Sequence, residues 1–113
     1  MHSDVPTLGG RLNIEVAKAV SAGRDAGIDI PPAEALAWIT SEPAKLLGIA
    51  DQTGSIGTGR NADLVLWSGD PFSVYSRAGL VFVDGALIYD RSDPARQPRG
   101  DFMTGQPSAK SEP

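Results

Sequence analysis

The chain has 113 residues, 41% of them hydrophobic, a net charge of −4 and no cysteine. That length suits one modest domain and falls short of a complete eight-unit β/α barrel, which takes about 200 residues or more. The acidic balance, with no Lys/Arg block, leaves nucleic-acid binding without electrostatic support. Missing cysteines exclude a disulfide framework and a thiolate metal site, and no run approaches the ~20 apolar residues of a membrane span.

Residues 1–10 read as a loop punctuated by Pro6, Gly9 and Gly10. The N-terminus lacks the basic and apolar regions of a signal peptide, which leaves the compartment open. From Arg11 to Ala26 the pattern is helical. Leu12, Val16, Ala19, Val20 and Gly23 recur at spacings of three and four, which makes them a core-facing stripe. Gly27 is placed to end that helix. Pro31 and Pro32 start a second helix, Ala33 to about Thr40, since proline suits the first helical turn. Ser41 is placed to cap a third, Glu42 to Leu47, with Gly48 as its terminator. Trp38 and Trp67 read as core residues.

After Asp51 the character changes to strand. Ser55-Ile56 reads as a short strand between glycines, and Asp63 to Trp67 as a strand buried on both faces. Leu80 to Val83 and Ala86 to Tyr89 flank Asp84-Gly85, a strong hairpin signal, because a type I′ turn needs positive φ at both central residues. Gly57-Thr58-Gly59-Arg60 lacks the Lys-Ser/Thr of a P-loop and reads as a tight turn. Asp70-Pro71-Phe72 reads as a turn with a buried aromatic. Asp90 and Asp93 read as solvated acids. Residues 92–113, rich in Pro and Gly, read as a disordered or surface-draped tail. The fold class is α+β, helices first.

Four runs carry a resemblance: His2-Ser3-Asp4 with Pro6; Thr40 to Gly48; Gly54 to Trp67, with its Ala62-Asp63 step; and Val81 to Asp90, with Asp84-Gly85. In this order they resemble the C-terminal end of the amidohydrolase superfamily, metal-dependent hydrolases that include the imidazolonepropionases. The resemblance extends from His2 to Arg91. It implies a parent (β/α)8 TIM-type barrel with a small composite β-sandwich domain. Residues 1–50 would then end the last barrel strand and supply the closing helices. Residues 51–91 would be the C-terminal part of the β-domain, and 92–113 the tail.

The resemblance also implies chemistry. Asp4 falls at the family aspartate that ligates the metal and takes a proton from metal-bound water. A carboxylate suits both tasks, and a divalent metal, commonly zinc, lowers the pKa of its bound water to about 7. The implied substrate is a small amide or cyclic amide, cleaved at a C–N bond. Without the downstream match, Asp4 reads as an ordinary loop or capping carboxylate. His2, the only histidine, reads as solvated. The family's His-x-His pair and later histidines have no counterpart in this chain, so it is expected to be inactive alone and to bind no metal tightly. The missing barrel segment would be its partner, in cis or in trans. Two alternatives stay open: a non-catalytic α+β interaction module, and one chain of a two-chain hydrolase. With family strands missing, open sheet edges favour self-association.

Overall fold

The computed structural model of the chain describes residues 6–98. A 3-10 turn over Pro6–Arg11, where a loop was expected, leads into helix α1, Leu12–Asp25. Two short helices follow, α2 (Pro32–Ala37) and α3 (Ser41–Leu46). Then come strands β1 (Leu64–Trp67), β2 (Ala78–Val83) and β3 (Ala86–Asp90), and a 3-10 turn over Pro94–Arg96. The α+β reading, helices before strands, holds.

The stripe on α1 faces inward. Val16 is fully buried, and Leu12, Ala19, Val20 and Gly23 are half-buried, whereas Lys18, Ser21 and Arg24 are exposed. Gly23 marks a close approach: a Cβ there would sit 2.7 Å from Ile30 Cδ1, the movable end of that side chain. The helix closes as expected at Gly27: the Ile28 amide donates to the Gly23 carbonyl (2.9 Å) and the Gly27 amide to that of Arg24 (2.9 Å). The same paired closure ends α3, from Ile49 to Ala44 (2.9 Å) and from Gly48 to Lys45 (3.1 Å).

The start of α3 differs from expectation. Ser41 is its first helical residue, and Thr40 occupies the capping position without a side-chain capping bond. The Thr40 hydroxyl is engaged elsewhere, donating to the Leu36 carbonyl (2.8 Å). Residues 38–40 continue as tighter turns, the Ile39 amide donating to the Leu36 carbonyl and the Thr40 amide to that of Ala37 (both 3.2 Å), so α2 stops at Ala37 rather than near Thr40. Pro32 is helical from the outset, as its fixed φ favours.

The strands form an antiparallel meander in the order β1-β2-β3. Val83 pairs with Ala86 across Asp84-Gly85, and both turn residues have positive φ, +49° and +79°. This is the two-residue turn whose twist matches the strands. Irregularities at Leu66/Trp67 and Val81/Phe82 leave Gly79 without a partner on β1 and Ile88 without one on β2. Ser55-Ile56 is not a strand. No ladder pairs with it among the described residues, and a two-residue stretch cannot satisfy its own backbone. Both residues are exposed, and it is the neighbouring Gly54 that lies close to α3. A Cβ on Gly54 would lie 2.5 Å from Ala44 Cβ and 3.0 Å from the Thr40 carbonyl. The Arg60 guanidinium donates to the Ala50 carbonyl, and the Asn61 amide donates to that of Gln52 (2.8 Å).

Among the described residues only Val16, Ala35 and Ala44 are buried hydrophobic side chains. Trp38 and Trp67 are half-buried rather than core. β1 is not covered on both faces: Val65 is 46% and Leu66 60% exposed. The cause is position, since β1 is an edge strand with no further layer over it among the described residues.

Candidate functional site

The loop after α3 and the β2–β3 turn meet at Asp63, just before β1. Its Oδ2 accepts from the Thr53 hydroxyl (2.7 Å) and its Oδ1 from the Asp84 amide in the hairpin turn (2.9 Å). Beside it the Gly85 amide donates to the Ala62 carbonyl (3.1 Å). The Asp84 amide, then the Thr53 hydroxyl, hold the Asp63 carboxyl below its ordinary pKa by favouring the charged form. Sequence reading placed Asp63 in a strand and missed this tie; the Ala62-Asp63 step before an apolar run was the available signal. A second tie joins α1 to the loop after β1, where the Asn13 side-chain Nδ2 donates to the Pro71 carbonyl (2.6 Å).

Between these ties an open groove of about 850 Å³ separates α2 and α3 from β1. Leu36, Leu47, Ile56, Val65 and Trp67 line it, with Asp63 at its margin. Leu47 is 70% and Ile56 88% exposed. Among the described residues, apolar side chains dominate this wall, and their chemistry is that of packing.

Asp4 and His2 lie outside the described residues. Among the described residues, no three His, Cys, Asp or Glu side chains gather into a group able to hold a metal. Those residues do not fit a metal site of their own. Asp90 and Asp93 are turn-closing carboxylates: Asp90 accepts from the Ser92 hydroxyl (2.7 Å) and amide (2.8 Å), Asp93 from the Ala95 amide (2.9 Å). Asp70 plays the same part for Phe72, whose amide donates to it (2.9 Å); Phe72 is half-buried. Gly57 to Arg60 is a tight turn, closed by the Arg60 amide on the Gly57 carbonyl (3.2 Å). Among the described residues no helix is long and apolar enough to cross a membrane.

The model of the amidohydrolase family matches residues 2–100. The chain belongs to the amidohydrolase family. This amidohydrolase chain is 35% identical to the amidohydrolase tasK of Hapsidospora irregularis over 89 residues, 78% of the chain and 8% of that protein. It is 50% identical over 34 residues to the imidazolonepropionase of Brucella suis, covering 30% of the chain and 8% of that enzyme. A crystal structure of an amidohydrolase from Thermotoga maritima is 37% identical, with a TM-score of 0.62 over 70% of this chain and 19% of that one. The amidohydrolase chain thus spans a small part of each relative's length, and its helices-then-sheet arrangement is shared with a solved member of the family.

Proposed function

We propose that this chain is the C-terminal part of a metal-dependent amidohydrolase that cleaves C–N bonds in small amide or cyclic-amide substrates. The family match from residue 2 to residue 100, which takes in Asp4, carries this reading. In it, Asp4 lends a carboxylate to a divalent metal, zinc by family habit, and accepts a proton during hydrolysis. The metal would supply a lowered water pKa. Its remaining ligands would come from elsewhere in the polypeptide, since the described residues form no metal-holding group. The 850 Å³ groove beside β1 supports the same reading, as an apolar wall suited to further layers of a larger protein.

The test uses the longer polypeptide that contains this chain. Hydrolysis of an amide and cyclic-amide panel is measured with bound metal counted, for the parent and for Asp4→Asn. The substitution is expected to lower turnover about 100-fold or more, the scale of a lost general base, and to weaken metal retention. Unchanged turnover and unchanged metal content would remove Asp4 from the site.

A further inference from the structure

The outer edge of β3 is guarded by the turn that follows it. Along an antiparallel strand, alternate residues direct both amide and carbonyl to the same neighbour. At one end of β3, Ala86 pairs with Val83 across the two-residue turn, so Ala86 faces β2 and Leu87 faces away. At the other end the Arg91 amide donates to the Gly79 carbonyl (2.9 Å), so Arg91 faces β2 and Asp90 faces away. Strict alternation would put Leu87 and Asp90 on opposite sides. The irregularity that takes up Ile88 reverses the alternation between them, and both come to face outward.

Both outward carbonyls are taken. The Arg96 guanidinium donates to that of Leu87 (2.7 Å), and the Asp93 amide to that of Asp90 (3.2 Å). The segment that delivers these donors is held by its own bonds. Asp93 caps the 3-10 turn Pro94–Arg96: its carboxylate accepts from the Ala95 amide (2.9 Å) and pairs with the Arg96 side chain (3.5 Å). The Arg96 amide donates to the Asp93 carbonyl (3.0 Å), and the Gln97 side-chain amide to the Arg91 carbonyl (2.8 Å). A bulge, a cation and a proline meet at this one edge. These are the devices with which native sheets prevent further pairing.

We propose that residues 93–97 are an edge strap that ends the sheet at β3. By holding the outward carbonyls of Leu87 and Asp90, the strap keeps any further strand off this rim, whether from the rest of the longer polypeptide or from another molecule. The strap involves neither Asp4 nor metal nor substrate, so its failure would leave the hydrolase reading untouched.

Amide hydrogen exchange of the longer polypeptide tests this without substitution. Leu87 and Asp90 turn their amides outward with their carbonyls, and the strap bonds the carbonyls. With no strand beyond β3, these two amides should exchange at least about tenfold faster than the inward amides of Tyr89 and Arg91. A strand paired on the rim would protect all four. The double substitution Arg96→Ala with Gln97→Ala then removes two of the strap's donors. Sedimentation velocity over a range of concentrations is expected to show self-association at least about tenfold tighter than the parent's, with an unchanged circular-dichroism spectrum. Slow exchange at Leu87 and Asp90 in the parent, or a folded double variant that associates as the parent does, would overturn the proposal.

Discussion

Gly54 and Asp63 are small features that join the two halves of the chain. At Gly54, φ is +87° and a Cβ would strike Ala44 Cβ at 2.5 Å. Gly54→Ala therefore meets both a disfavoured backbone and a steric clash, and should cost about 1–3 kcal/mol in urea unfolding. Asp63 acts through charge. Its folded pKa is lowered by the Asp84 amide and the Thr53 hydroxyl, so its stabilisation is present above the unfolded value of about 3.9 and is lost as pH falls through the folded value. Asp90, lowered by the Ser92 hydroxyl and amide, adds to the same slope. Thermal midpoints should drop as pH falls below about 4, and Asp63→Asn should flatten that drop. An unchanged slope in the variant would place the acid sensitivity elsewhere.

Elements were legible where local chemistry decides them. Gly27, Gly48 and the Asp84-Gly85 turn are positions whose backbone conformation few other residues supply, and each falls where the sequence puts it. The stripe on α1 was legible for a similar reason, because a period of 3.6 defines one face. Its anchor, Val16, is fully buried, and Val16→Ala should cost about 1.5–3 kcal/mol in the same unfolding assay. Elements decided by neighbours were not legible. Ser55-Ile56 has strand composition but no ladder partner among the described residues. The Ser41 cap failed because α3 begins one residue earlier, with Thr40 at the capping position and its hydroxyl bonded back to Leu36. Of the candidate site, the family resemblance was readable from spaced motifs. The Asp63 tie joins residues 10 and 21 positions apart; the Ala62-Asp63 step marks the residue, but its partners are not local.

At the scale of the whole molecule, burial in the described residues is sparse. Three buried hydrophobic side chains are few for a stable domain. Leu47 and Ile56 would be unremarkable as isolated surface residues, but both line one groove. If that groove is a wall of a larger protein, Ile56→Asp should be nearly neutral, within about 0.5 kcal/mol, in the 113-residue chain. In the longer polypeptide the same change should cost about 2 kcal/mol or more, because it buries a carboxylate without a partner. Paired melts of the two proteins carrying the same substitution would show this, and equal effects would argue against the wall. The guard on β3 bears on how the chain can be trimmed. Arg96 and Gln97 follow the last strand in sequence yet shield its rim. A deletion series that stops at Pro98 keeps that shield. One that stops at Arg91 removes it while leaving the three strands in place, and bares a row of backbone carbonyls that a neighbouring strand could pair with.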